Sequence, residues 1–535
     1  MDATTTLTAE TPIALRGRMA LLCFIAAACI LPAAPAQSAQ QARYVFFFIG
    51  DGMGPLQVQL AESYLGAKKG ERRGRLLMTT LPSVGIASTY SDNSYVTDSA
   101  AGGTALACGR KTGNGCLGVD KTNAQSFTSI AALARRAGRK VGILTTDSLV
   151  GATPAAFYAH QPERNLAYFI GADLLRSGFD VFIAGGGFGD EDGTKIPTNH
   201  FTSATNTLSS FIAGTVAGTV QWKRLPDVAA EYGYRYLSSA RHLRAARPSS
   251  GKLIAACRMP MGIDAASNDF TLADATRKSI ELLDNPNGFF LMVEAAHVDK
   301  SGHGNDGAAA AKEVLVLDKA VAAAYAFYTN HPEETLIVIS ADHETGGMTL
   351  GHGSSRFNML DVQQESIGAF KSWFAEYRKT HTTSSAIGRL FDYLLFSDEA
   401  GKDPVSFDDV SAALREYFGL GDEESGFALS DNDVRQLERA FEDSLRGKEL
   451  AIDDPLQALL YGGQDPLVIT ALRMMNEKSG IKWATLGHTG AHVPVFAVGA
   501  GSARFTGWYD NTDIPCMIIG SMLPGTPFPP APVSK

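Results

Sequence analysis

The chain has 535 residues, 45% of them hydrophobic and 19% charged, and a formal net charge of −9. It is long enough for a large core and has the make-up of an ordinary soluble globular protein. The mildly acidic balance gives no electrostatic reason to expect a nucleic-acid partner.

Residues 1–39 differ from the rest. Arg16 and Arg18 precede the apolar run Met19–Pro32, and small residues follow through Ala39. This is the layout of a secretory signal peptide, with Ala34-Pro35-Ala36 or Gln37-Ser38-Ala39 as the cleavage signal. The run is short for a spanning helix and contains Pro32, which argues against a membrane anchor. The expectation is a periplasmic or secreted protein with no stable anchor after cleavage. Cleavage leaves Cys108, Cys116, Cys257 and Cys516, an even number compatible with disulfides. Cys108 and Cys116 flank a Gly-rich turn and are the expected pair; four free buried thiols are the alternative. No cysteine cluster has zinc-ligand spacing.

From Tyr44 onward, strand and helix patterns alternate. The apolar run Tyr44–Ile49 leads into Asp51-Gly52-Met53-Gly54. Val96-Thr97-Asp98-Ser99-Ala100-Ala101-Gly102-Gly103-Thr104 places a serine where a helix of small residues begins. Unpaired N–H groups and the positive dipole end favour an anion there, and small residues let a ligand approach. Ser and Asp before an apolar run are also ordinary helix caps. No histidine stands near Ser99 in sequence, so a serine nucleophile here needs metal activation. Thr128–Ala137 reads as a helix stopped by Gly138, followed by the strand Val141–Thr145. Val181–Ala184 is a short strand, and the acidic stretch Gly189–Lys195 reads as a solvated turn without the spacing of a calcium loop.

Thr271-x-x-Asp274 is a capping box opening a helix through Leu283. The strand Phe289–Val293 runs into Glu294, Asp299, Lys300 and His303, and Gly307–Tyr328 reads as a long helix. The strand Thr335–Ser340 runs into Asp342-His343. Strands alternating with helices predict a three-layer α/β/α fold with a large, mainly parallel sheet. Residues 357–482 break the rhythm and form a helical insertion, with helices opened at Ser406 and Ser430. The second carries Val434, Leu437, Phe441 and Leu445 on one stripe. No strand run is visible there. The catalytic domain is accordingly 40–356 plus 483–535, the last part opening with His488-Thr489-Gly490 before the apolar run Val493–Val498.

Three carboxylates thus follow buried strands, where open α/β sheets collect ligands. Asp51, Asp299, His303, Asp342, His343 and His488 form a mixed oxygen and nitrogen donor set that suits zinc. Six ligands exceed one tetrahedral ion, and the natural division is two metals about 4 Å apart, the spacing that clamps attacking and leaving oxygens in phosphoryl displacement.

At these motifs the chain resembles the alkaline phosphatases. The resemblance rests on Val-Thr-Asp-Ser-Ala-Ala (96–101), Asp51-Gly-Met-Gly, Ala152-Thr153-Pro154-Ala155-Ala156, Glu294…Asp299…His303, Ala341-Asp342-His343 and His488-Thr-Gly, in the family's order. It implies hydrolysis of phosphate monoesters through a phosphoserine at Ser99. It further implies a first Zn²⁺ on Asp299, His303 and His488, a second on Asp51, Asp342 and His343, and a Mg²⁺ on Asp51, Thr153 and Glu294. Arg164 matches the arginine that grips phosphate in a bidentate fork, oriented by Asp98, although an ion pair with Glu163 also explains it. Lys300 falls where some members place a lysine near the phosphate. A homodimer is implied on the same ground.

The chain departs from the family at Gly151, where many members carry an acidic residue or histidine supporting the third metal. The identity and hold of that ion are therefore open. His160, His297, His352 and His492 read as structural. Three rivals remain. A phosphodiesterase or nucleotide pyrophosphatase of the same superfamily generally has a threonine nucleophile and no Arg164 counterpart. A sulfatase would need a Cys/Ser-x-Pro-x-Arg signature, which is absent. An inactive metal-binding surface protein would not need the complete ligand set.

Overall fold

Tyr44–Gly50 (β1) is buried at all seven positions, the pattern of a strand covered on both faces by helices. A computed structural model describes residues 41–186, 195–197, 222–381, 405–422, 426–446 and 461–535. The expected signal peptide, residues 1–39, and residues 189–194 of the acidic turn lie outside the described residues. Among those described, no helix is long and apolar enough to cross a membrane.

β1 is the middle of a ten-stranded sheet. The other strands are Ser83–Ser88 (β2), Lys140–Thr145 (β3), Val181–Ala184 (β4), Tyr234–Leu237 (β5), Lys252–Ala256 (β6), Phe289–Ala295 (β7), Thr335–Ser340 (β8), Val493–Gly499 (β9) and Gly507–Asp510 (β10). Their spatial order is β10-β2-β9-β8-β1-β7-β3-β4-β6-β5. Every pairing is parallel except those of β9, which runs against both β8 and β2. The mainly parallel α/β reading of the sequence therefore holds.

Register does the positioning. Ile49 lies level with Glu294 on one side and Ser340 on the other, and Glu294 lies level with Thr145. The residues that follow, Asp51 and Asp342, therefore emerge together with Glu294 at the carboxyl edge.

Helices pack outside this sheet, among them Pro55–Lys68 (α1), Ser99–Cys108 (α2), Leu272–Leu283 (α3), His297–Gly304 (α4) and Gly307–Tyr328 (α5). The capping box at Thr271 and Asp274 forms as expected. All ten residues of α2 are buried, which only a run of Ser, Ala, Gly, Thr, Leu and Cys permits at such close quarters. The expected Cys108–Cys116 bond is not formed, and both thiols are free. Cys108 packs in the main core at the end of α2, where burial pushes its thiol up to about 12; Cys116 is not part of that core.

The helical segment holds Ile367–Thr380 (α6), Phe407–Phe418 (α7), Asp431–Leu445 (α8) and Pro466–Ser479 (α9). Phe370, Phe374, Phe418, Leu437, Phe441 and Leu472 close a second apolar cluster between them. A short strand, Ile481–Trp483, pairs antiparallel with Met348–Leu350. This corrects the strand-free reading of 357–482, because three residues are too few to display alternation.

Asp306 ties the two parts together. Its buried carboxylate caps α5 by accepting from Ala309 N at 3.0 Å. It also accepts from Gln363 Nε2 at 2.9 and 3.0 Å and from Ile367 N at 3.0 Å. Asp306→Ala removes a cap and strands two buried donors, and should cost about 3 kcal/mol. Denaturant unfolding checks this; an unchanged midpoint would refute the tie.

Candidate active site

The residues singled out in the sequence converge at the carboxyl edge of β1, β7 and β8. Asp98 caps α2, its Oδ1 accepting from Ala101 N at 2.9 Å, as the capping reading of this motif expects. Ser99 then sits in the first turn with its Oγ 3.2 Å from His343 Nε2. No histidine is close to Ser99 in sequence, and only the fold brings one there. Gly102 faces Asp342: a Cβ on it would stand 2.9 Å from the Asp342 carbonyl oxygen.

Three imidazoles are held by their Nδ1 atoms and so turn Nε2 toward one another. His303 Nδ1 contacts the Leu486 carbonyl at 2.6 Å, His488 Nδ1 the Thr97 carbonyl at 2.9 Å, and His343 Nδ1 the Thr345 hydroxyl at 3.2 Å. An Nδ1–H committed to a carbonyl leaves a lone pair on Nε2, the form a metal requires. His303 Nε2 lies 3.3 Å from Asp299 Oδ2 and 3.1 Å from His488 Nε2. His343 Nε2 lies 3.4 Å from Asp51 Oδ1 and 3.5 Å from Asp342 Oδ2.

Two triads bring their donor atoms within 4.8 Å of one another: Asp51 with Asp342 and His343, and Asp299 with His343 and His488. The first is the set expected for the second zinc. The other differs from expectation in one member, for His343 takes part where His303 was expected. The rings of His343 and His488 stack at 3.6 Å, and His303 stands at the open side.

The electrostatics fit cation binding. Burial drives Asp51 well above the ordinary carboxylate range, reinforced by Asp342, Asp299 and Glu294, and its Oδ1 has no hydrogen-bond partner. Burial likewise raises Asp342 to about 7, with Asp299 adding. Glu294 is pushed up to about 8 by burial, against a hydrogen bond from Thr145, with the charge of Asp147 adding. Burial also pulls Asp299 upward, but the His303 hydrogen bond and the neighbouring imidazoles hold it below the usual range. Burial, with His488 adding, keeps His343 neutral. Buried carboxylates are retained when they are paired or coordinate metals. This donor set, with its orphaned Asp51 oxygen, fits divalent cations.

Thr153 lies on the short helix Ala152–Ala155, its Oγ1 3.2 Å from both Asp51 Oδ2 and Asp342 Oδ2. Glu294 lies level with Thr145 in the sheet, its carboxyl in hydrogen-bonding contact with that of Asp51. Gly151 caps that short helix, and a Cβ there would come within 2.9 Å of the Ser148 carbonyl oxygen, so this turn favours glycine. Arg164 Nη1 donates to Asp98 Oδ2 at 3.1 Å, so its partner is Asp98, not Glu163. Lys300 pairs at 2.8 Å with Asp147, a residue the sequence reading passed over. His492 rests edge-on against Trp508, His160 Nε2 contacts the Phe127 carbonyl, and His297 is buried; all three stand apart from the donor set.

Comparison with known proteins gives concordant findings. The profile of the family described as "Alkaline phosphatase" matches residues 42–390, a stretch that includes α6. Alkaline phosphatase 3 of Bacillus subtilis is 28% identical over 483 residues, spanning 88% of this chain and 87% of its own. Streptomycin-6-phosphate phosphatase of Streptomyces griseus is 32% identical over 62% of this chain and 80% of its own. A cold-active alkaline phosphatase from a Shewanella species superposes with a TM-score of 0.64 at 26% identity, covering 90% of this chain and 99% of its own. The Thermus thermophilus alkaline phosphatase gives 0.68 at 23%, covering 94% and 97%, a likeness of fold.

A proton count follows from the raised carboxyls. At pH 6.5 the metal-free protein should hold protons on Asp342 and Glu294, raised to about 7 and about 8, and on Asp51, raised well above the ordinary carboxylate range. Metal binding there should expel them, with fewer protons released as pH rises. The same groups should make the metal-free protein lose stability as pH rises from about 4.5 to about 8, because the unfolded chain has already given up protons that the folded one retains. Calorimetry in buffers of different ionisation enthalpy reads the protons; no release at pH 6.5 would contradict the assignment.

Proposed function

The chain belongs to the alkaline phosphatase family of metal-dependent phosphatases, and on that premise we propose that it hydrolyses phosphate monoesters through a phosphoserine at Ser99. The observation that carries this reading is the Ser99 hydroxyl at the start of α2, against the imidazole shared by both donor triads. Ser99 Oγ attacks phosphorus as the ester bond breaks, the alcohol leaves with a proton, and water then hydrolyses the phosphoserine to release phosphate. Asp299, His303 and His488 would hold one Zn²⁺, Asp51, Asp342 and His343 the second, and Asp51, Thr153 and Glu294 a Mg²⁺. Bound there, the cations would favour the alkoxide form of the serine and offset charge on the departing oxygen.

Asp98 fixes the Arg164 guanidinium by one nitrogen, leaving its other donors for two phosphate oxygens. Lys300, balanced by Asp147, adds positive charge beside the site. Export through the 1–39 leader and a homodimer complete the proposal. Ser99 and Arg164 favour a monoesterase over the diesterases of the superfamily, and the complete donor set argues against an inactive surface protein.

Ser99→Ala should nearly abolish monoester turnover while metal content, read by elemental analysis, stays unchanged. Acid trapping should label Ser99 in the parent chain; full activity in the variant would defeat the mechanism. Arg164→Ala should lower kcat/KM for a monoester by about 1.5–3 kcal/mol of transition-state binding, and should affect a diester less, because a monoester has three non-bridging oxygens and a diester two, so that other contacts at the site leave a diester fewer for the fork. Equal losses on both substrates would remove Arg164 from the phosphate grip.

A further inference from the structure

A second concave site lies outside the catalytic centre, between the end of α1, the middle of α5 and the turn Phe357–Asp361. It has a volume of about 620 Å³ and is lined by Tyr64, Lys68, Lys69, Lys312, Lys319 and Asp361 among others. Four lysines thus face one carboxylate in a chain whose net charge is −9. That carboxylate is already engaged. Asp361 takes an ion pair from Lys68 at 2.8 Å and a hydrogen bond from the Tyr64 hydroxyl.

The remaining three ammonium groups have no carboxylate within ion-pair reach among the described residues. Lys312 is half-buried, and its Nζ donates to the Gln363 carbonyl at 3.2 Å. Burial lowers its pKa, against the charges of Asp361, Asp306 and Asp264, with Lys68 adding to the lowering.

A cleft lined by one sign of charge focuses field and concentrates counter-ions. Lysine ammonium groups act as point charges that accept phosphate oxygens from many directions. We propose that this cavity binds a phosphate-bearing polyanion, with Lys69, Lys312 and Lys319 as its ligands. A linear anion of two or three phosphates presents the repeated charge the cavity offers, as does a surface of anionic phospholipid headgroups. The proposal is independent of the reaction assigned to Ser99.

Tripolyphosphate titrated calorimetrically into the metal-loaded full chain carrying Ser99→Ala tests it without turnover. Two binding events per chain are expected. Adding Lys69→Gln and Lys319→Gln, both exposed positions, should weaken one of them at least ten-fold and spare the other. With Ser99 intact, the same pair of substitutions should leave kcat/KM for a small monoester unchanged. In a parallel arm, sedimentation with phosphatidylglycerol vesicles distinguishes a lipid headgroup from a free polyanion: parent pelleting that the lysine variant loses identifies the headgroup, and a calorimetric loss alone identifies the free anion. Indistinguishable binding by parent and lysine variant in both arms overturns the proposal.

Discussion

Asp51, Asp342 and Glu294 leave water together because three adjacent parallel strands end at the same level. Burial raises the affinity of each for protons; Asp342 and Glu294 raise that of Asp51 further, and Asp342 that of Glu294. Desolvated like charges at such separations are tolerated only if protons or cations offset them. The sheet therefore creates a demand for positive charge, and the histidines supply ligands of the right kind around it. Ser99 is drawn into the same space because α2, made of very small residues, can pack against Asp342.

Two of the three imidazoles owe their direction to the backbone. The Leu486 and Thr97 carbonyls each take a histidine Nδ1, while His343 is held by the Thr345 hydroxyl. Hydrogen bonds of this second layer usually matter to metal sites almost as much as the ligands themselves. The Leu486 anchor lies a few residues beyond α9, so the helical segment ends where a ring of the site is fixed.

Legibility from sequence followed locality. β1, β8 and α5 are long uninterrupted patterns, and their extents were readable within a residue. Asp51, Glu294, Asp299, Asp342 and His343 stand at or just past the ends of such strands, and His488 stands just before one. The contact between Ser99 and His343 was not readable, since 244 positions separate them. Nor was the Asp147–Lys300 pair, because an acid four residues before Gly151 has no motif to mark it. Helices α6 and α9 went unnamed although Ser366 and Asp465-Pro466 are good start signals; their apolar stripes face a local cluster that gave no strand rhythm to frame them. The cysteine pairing failed because a Gly-rich turn says that two residues are near in sequence, not that their side chains meet.

The single reversed strand has a consequence for the order of assembly. β9 lies between β8 and β2 and is the only strand joining them. It is also encoded near the end of the chain. Until residues 493–499 have been made and delivered, the sheet is in two pieces, and the piece carrying β2 leads directly into α2 and Ser99. His488, five residues before β9, arrives with it. β9 and His488 therefore come to the sheet together, after the strands that lead into Asp51, Glu294 and Asp342 have been made.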